Sequence, residues 1–265
     1  MDFKRVIACG DMHGGHYVGL TPPKYQSKVR GEVAYKCQRE CFKFWESELK
    51  PLKPIHLLIH NGDATEGKGK RSGGNELIHP KRTTQANIAT ENIMVANPQK
   101  VVITRGTPYH VGVDEDFEDI VADNLNREGV QTIIKDHAFI DVNGTLFNVK
   151  HKIGGSSVPY SRATAISKEN TWNMYWAEIG DQPRKVGSTV FLRSHVHYYG
   201  FTGDDTFLAV ILPALQAHKT TWGARQCSGV VKFGFVVFDC YEDGSVQWFA
   251  KILPIKSLRQ EAIVL

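Results

Sequence analysis

No apolar run in this 265-residue chain approaches the roughly 20 residues that a membrane-spanning helix needs. The longest nearly unbroken one, "FLAVILPAL", falls well short, so no span is expected. The start, "MDFKRVIACG", lacks the apolar stretch and small-residue cleavage site of a secretory signal, and the expected compartment is the cytoplasm. Cys9, Cys37, Cys41, Cys227 and Cys240 are an odd set with no C-x-x-C pair, which fits that compartment and excludes a short-chain disulfide framework. Cys37 and Cys41 lie one helical turn apart and read as core packing. No G-x-G-x-x-G follows the first apolar segment, which argues against a dinucleotide-binding oxidoreductase. Repeats, linkers and low-complexity tails are also missing, so one domain over residues 1–265 is expected. The net charge of +4 is mild and by itself only hints at an anionic partner.

What is present is an ordinary globular composition, 42% hydrophobic, enough for a sizeable core. β-Branched apolar segments occur at "FKRVIAC", "IHLLIH", "KVVIT", "GVQTII", "LFNVKH", "TVFLRSHVH", "TFLAVIL" and "VVKFGFVVFD", followed by "SVQWFAKI". Helix-like stretches lie near residues 34–49, 83–96, 114–127 and 161–178. The N-G and D-G dipeptides of "DVNGTLF" and "YEDGSVQ" supply the positive φ that tight hairpins demand. Alternating β-α units followed by a strand-rich half predict an α/β fold of two packed mixed β-sheets flanked by helices.

The first three strands share an ending. "IACGDMHG", "LLIHNGDATEG" and "VVITRGTPYH" each run from apolar residues into glycine and then a polar group, and the C-terminal edge of a parallel sheet is where α/β proteins collect ligands. Asp11 and His13 are two positions apart, as are His195 and His197, a spacing that shares one face on an extended strand. A lone His-x-His reads as backbone-bonded strand residues. Together with Asp-x-His and the Gly-Asp at Asp63, the set reads as a grip on divalent cations. An ionised Asp63 beside "IHLLIH" is costly to bury unless cations share its oxygens, the other reading being a turn cap. His151, ending another strand, can add a neutral nitrogen. His16, His56, His60, His79, His137 and His218 read as surface or satisfied residues.

In order, these motifs resemble those of the calcineurin-like metallophosphoesterases: Asp-x-His-Gly, Gly-Asp, a Gly-led motif ending in His, a lone His, then His-x-His. The resemblance runs from Asp11 to His197. It implies a two-sheet sandwich between helices, with Asp11, His13 and His197 holding one metal, His151 and His195 the second, and Asp63 bridging both. It also implies hydrolysis of a phosphate ester by an activated water, with two cations supplying most of the barrier lowering.

Two departures stand out. The family's Gly-Asn-His is replaced by "RGTPYHVG", with Thr107 where the asparagine ligand would be and His110 two residues late. Either Thr107 supplies a weaker oxygen ligand while His110 stays the proton donor, or His110 replaces the missing ligand; His110 near the leaving group is preferred. Ser194 stands where a glycine usually opens Gly-His-x-His, tolerable if its φ is negative.

The mixed His/carboxylate set suits Mn²⁺, Fe or Zn²⁺ better than Mg²⁺ or Ca²⁺, with Mn²⁺ the first choice. The second motif, "GDATEGKG", lacks the Gly-Asp-x-x-Asp-Arg-Gly of the phosphoprotein phosphatases. A basic, Gly-rich stretch follows Asp63, with Lys68, Lys70, Arg71, Lys81 and Arg82, and reads as a solvated loop or one that steers phosphate-bearing substrates, Lys68, Lys70 and Arg71 being the substrate-binding candidates. Tyr17, Tyr109, Tyr160, Tyr198, Tyr199 and Trp222 read as packing or as a surface for stacked bases. The leading expectation is a phosphodiesterase acting on DNA, RNA or a nucleotide. A small-molecule phosphomonoesterase and a metal-binding module with weakened catalysis are the alternatives.

Overall fold

The computed structural model describes residues 2–69, 73–112, 117–156, 158–218, 230–259 and 262. Strands β1 (Phe3–Cys9), β2 (Ile55–Asn61), β3 (Pro98–Thr104), β4 (Gln131–Lys135), β10 (Phe233–Tyr241) and β11 (Val246–Leu253) form one sheet, ordered β11-β10-β1-β2-β3-β4. The second sheet contains β5 (His137–Val142), β6 (Thr145–Lys150), β7 (Thr189–Arg193), β8 (Gly200–Gly203) and β9 (Phe207–Ile211), ordered β5-β6-β7-β9-β8. Both sheets are mixed. Helices α1 (Glu32–Leu49), α2 (Arg82–Ala96) and α4 (Phe117–Arg127) cover the outer face of the first sheet, and α5 (Arg162–Glu178) covers the second.

Alternation along each strand divides the core. In β1, Val6 and Ala8 face the second sheet, where Phe147, Val149, Leu192 and Val210 meet them, with Phe238 beside Val6 on β10. Ile7 and Cys9 face the helices, against Cys37, Cys41, Trp45, Ile93 and Val121. Both faces are buried, which is why the central strands read as continuous apolar runs. Cys37 and Cys41 are buried and unbridged with sulfurs 3.9 Å apart, the core role expected of them. Cys227 lies outside the described residues.

Turn chemistry fixes the hairpins. Asn143 (φ 51°) and Gly144 (φ 87°) join β5 to β6 in antiparallel register. The second-half strands are less purely hairpin-linked than the sequence implied, since β6, β7 and β9 run parallel. Among the described residues no helix is long and apolar enough to cross a membrane.

Register brings the strand ends level. Cys9 pairs with His60 and Asn61 with Thr104, so β1, β2 and β3 finish within about one residue of each other. In the second sheet Val149 pairs with Leu192, and the residues after β6 and β7 leave at one height, Ser194 N–H donating to His151 O at 2.8 Å. Asn61 Nδ2 links the sheets by donating to Ser194 Oγ at 2.9 Å.

Candidate metal centre

Three acid/imidazole groups form at this rim, one of them, His13, Glu66 and His110, sharing His13 with another. The ligating atoms of Asp11, His13 and His197 lie within 4.8 Å of one another, and so do those of Asp63, His151 and His195. Six of the seven candidate ligands named from the sequence therefore come together in two groups of three, and the seventh, Thr107, lies beside Asp63. Asp11 Oδ1 faces both groups, at 3.3 Å from His197 Nε2 and 4.0 Å from each Nε2 of His13 and His151.

The side chains do not converge by the alternation of an extended strand. β1 ends at Cys9 and β7 at Arg193, and the ligands lie beyond both strands. Asp11 (φ 50°), His13 (φ 50°), Asp63 (φ 54°), His195 (φ 76°) and His197 (φ 57°) are all left-handed, five of the seven such non-glycine residues described. Each such conformation costs on the order of 1 kcal/mol and persists only where its surroundings over-determine it. Here the loops after β1 and β2 continue to pair: Asp11 N donates to Gly62 O, His13 N to Asp63 O and Gly14 N to Ala64 O, all at 2.9–3.0 Å. Glycine is needed at two points around Asp63. A Cβ at Gly62 (φ 78°) would collide with the His151 ring, and one at Gly106 with Asp63 itself. Ser194 does not adopt a positive φ, so the missing glycine costs the loop nothing.

The imidazoles are held by their other nitrogens. His13 Nδ1 donates to Glu66 Oε2 at 2.8 Å, and His151 Nδ1 donates to Asn61 O at 2.7 Å. Each Nε2 then turns toward the carboxylates, as in the outer-shell support of metal-ligating histidines. Glu66 was missed in the sequence, although the acid three residues after Asp63 was its signal. Glu118, also missed, is fully buried and accepts Ala64 N at 2.8 Å and Gly106 N at 2.7 Å, tying the loops after β2 and β3 together. Its position in the first turn of α4 looks like ordinary helix-dipole compensation, which hides the role.

Burial pushes both carboxyls up, but facing imidazoles outweigh it. His197 and His151 bring Asp11 down to about 2, and His151 holds Asp63 well below the usual range. In return, against burial, Asp63 and Asp11 lift His151 to about 10, and Asp11 raises His197. Burial, with His110 adding to it, lowers His13 to about 4. Two buried carboxylates thus demand positive charge, which protons on His151 and His197 can meet, and which a divalent cation meets with both rings neutral.

The donor set fits such cations. Asp11 Oδ1 and His151 Nε2 are buried 4.0 Å apart and face only other site groups, Asp11 Oδ1 at 3.3 Å from His197 Nε2 and His151 Nε2 at 3.1 Å from Asp63 Oδ2. His13 Nε2 and His197 Nε2 are 3.2 Å apart. Two nitrogens at about 2.0–2.1 Å from one ion, roughly 90–110° apart, would be separated by about 3.0–3.4 Å.

Thr107 donates its N–H to Asp63 Oδ1 at 2.7 Å, and its hydroxyl lies 3.2 and 3.4 Å from the two Asp63 oxygens. His110 sits on the short helix α3 (Pro108–Val111), its ring centroid 4.5 Å from that of His13 and its Nδ1 donating to Glu66 O at 2.9 Å. With Arg105, Tyr109, Lys150, Lys152 and His195 it lines a cleft of about 490 Å³. Lys68 is exposed on the turn after β2, outside that lining, and Lys70 and Arg71 lie outside the described residues. Arg82 is structural, donating to His110 O and Val111 O and lying over the Phe117 ring. Of the aromatic residues, Tyr109 alone lines the cleft; Tyr198 packs under Arg162, and Trp222 is outside the described residues.

By sequence the chain matches no protein-family model and no curated protein. Similar solved structures include an archaeal phosphodiesterase, 11% identical over 93% of this chain and 99% of that one (TM-score 0.45). A predicted phosphoesterase from Streptococcus pneumoniae is 10% identical over 95% and 99% (TM-score 0.38). Vacuolar protein sorting 29 from Cryptosporidium parvum is 9% identical over 95% and 98% (TM-score 0.48). The fold is the α/β one expected, two packed mixed β-sheets flanked by helices.

His60 departs from the satisfied residue it was read as. It is fully buried on β2, neither ring nitrogen has a hydrogen-bond partner, and burial lowers its pKa to about 4, leaving a neutral ring.

Proposed function

We propose that this protein is a phosphoesterase that uses two divalent cations, manganese first among the candidates, to hydrolyse a phosphodiester in a nucleic acid or nucleotide. The carrying observation is the meeting of two acid/imidazole triads around Asp11 Oδ1. Asp11, His13 and His197 would hold one cation and Asp63, His151 and His195 the other, with Asp63 shared as the motif resemblance implies. Bound cations supply an acidified water, neutralisation of phosphoryl oxygens and orientation of in-line attack.

The chain's own residues do the rest. Glu66 and Asn61 fix the tautomers of His13 and His151, and Thr107 supports Asp63 rather than adding a strong ligand. His110, with Nδ1–H held by Glu66 O, has Nε2 left for a leaving oxygen, which it would protonate from its imidazolium form, keeping the Nδ1 proton on Glu66 O. Arg105, Lys150 and Lys152 line the cleft together with Asp136, Arg105 being paired with Asp119 and Asp136 and Lys150 with Glu169, a lining that offers cations to a phosphate group.

The test is manganese-stimulated release of nitrophenol from bis(p-nitrophenyl) phosphate and from the monoester, with Asp63→Asn and His195→Ala as controls, followed by digestion of labelled single- and double-stranded DNA. Diester turnover lost in both variants is the expected result. Turnover of the monoester alone would favour a phosphomonoesterase, and tight metal binding without turnover a binding module.

A further inference from the structure

A helix that covers a sheet ordinarily turns an apolar stripe inward, and α5 does not. Its stripe at i, i+3 and i+7 is Ile166, Glu169 and Asn173. Ile166 packs on the second sheet, Asn173 is buried against Gln182 and Pro183, and Glu169 reaches the ends of β6 and β7. A buried ion pair rarely out-stabilises apolar residues of the same volume, so stability alone gives no reason for a glutamate here.

The contacts of Glu169 give one. Val149 and Leu192 are the last residues paired between β6 and β7, and the next residue on each strand, Lys150 and Arg193, is cationic. Arg193 is buried and holds the two strands together, its guanidinium donating to Asn148 O at 2.8 Å and Asn148 Oδ1 at 3.0 Å. Like charges side by side on neighbouring strands repel. One oxygen answers both: Glu169 Oε2 accepts Arg193 Nη2 at 2.5 Å, Arg193 Nε at 3.1 Å and Lys150 Nζ at 3.3 Å. His151 follows Lys150 directly, and His195 follows Arg193 by two residues. Their ring centroids lie 5.4 Å apart, and the loops that carry them are joined by Ser194 N–H donating to His151 O at 2.8 Å.

We propose that Glu169 is a positioning residue for the cation pocket of Asp63, His151 and His195: by neutralising Lys150 and Arg193 together it keeps the ends of β6 and β7 closed and fixes the separation of the two imidazoles. For its ligand the inference rests on the cation site proposed above, while the closure of the strand ends belongs to the metal-free chain. The effect is selective. Two of the three groups of this pocket leave from these strand ends, against one, His197, of the pocket with Asp11 and His13. His197 lies further along its loop and is held separately, its carbonyl accepting Lys232 N at 2.9 Å.

Two measurements on the full-length Glu169→Gln variant test it. Isothermal titration with Mn²⁺ should show one site weakened about 10–100-fold and the other changed by less than about 3-fold. Hydrogen exchange of the metal-free protein should show the Ser194 amide about 10-fold or more less protected, with the Asp11 and His13 amides, bonded to Gly62 O and Asp63 O, at wild-type rates. Adding Lys150→Met should restore both readouts, because the amide oxygen still accepts Arg193 and the second cation is gone. Two sites weakened alike, or neither weakened, overturn the proposal, as does a double variant no better than Glu169→Gln. A wild-type chain that binds no Mn²⁺ sinks the proposed function instead, and exchange then decides this inference alone: unchanged protection at Ser194, or an equal loss at Asp11 and His13, overturns it.

Discussion

His13 Nε2 and His197 Nε2, 184 residues apart in the chain, point at each other across 3.2 Å. Two imidazoles that close cannot both carry a proton on the facing nitrogen. With Asp11 Oδ1 3.3 Å from His197 Nε2, they would supply three corners of the proposed cation's coordination shell.

The arrangement depends on Glu66, whose carboxylate takes the Nδ1 proton of His13 while its backbone carbonyl takes that of His110. Glu66→Ala should lower manganese affinity 10–100-fold, the usual effect of losing an outer-shell partner, and Glu66→Gln should lower it less because an amide oxygen still accepts. Isothermal titration of the two variants checks the order; equal affinities would remove Glu66 from the site.

Glu118 is a fold-level support for the same loops. Glu118→Ala strands two backbone N–H donors, on Ala64 and Gly106, and should cost about 3 kcal/mol. Urea unfolding at neutral pH measures it. A loss under about 0.5 kcal/mol would show that the loops hold without this carboxylate.

These two glutamates mark where sequence reading stops. Asp11, His13, Asp63, His151, His195 and His197 were legible because glycine-flanked polar residues at strand ends announce a rim, and β1 could be bounded at Phe3–Cys9 from its apolar run alone. The mechanism of convergence was not legible, since alternation on a strand was the available argument and left-handed loops do the work instead. β8, four residues long and opened by Gly200, carries too little pattern to stand out from a loop. Glu118 and Arg193 act through contacts between elements far apart in sequence, which no local spacing encodes.

Arg193 is buried at the end of β7, the strand that delivers His195 and His197. It donates to Asn148 O at 2.8 Å and pairs with Glu169 at 2.5 Å. Burial pushes the Glu169 carboxyl up, but Arg193 and Lys150 outweigh it and hold the group below its ordinary 4.5. A depressed carboxyl stabilises the fold fully above its unfolded pKa and loses that contribution as pH falls through the folded one. Below about pH 4.5, thermal stability of the metal-free protein should therefore fall more steeply in the wild type than in Glu169→Gln. Identical slopes would mean the pair is energetically idle.

His60 gives a prediction of opposite sign. With both ring nitrogens unpartnered in a fully buried site, His60→Leu removes an unsatisfied group at similar volume. It should be neutral or stabilising by about 1 kcal/mol. Destabilisation by about 2 kcal/mol or more in a melting experiment would show that His60 has a partner, such as a buried water.

The most direct test of the central claim is anomalous diffraction at the manganese edge from crystals grown with Mn²⁺. Two peaks about 3.5–4 Å apart are expected, one against Asp11, His13 and His197 and the other against Asp63, His151 and His195. No peak at this rim, or a single ion held elsewhere, would contradict the account.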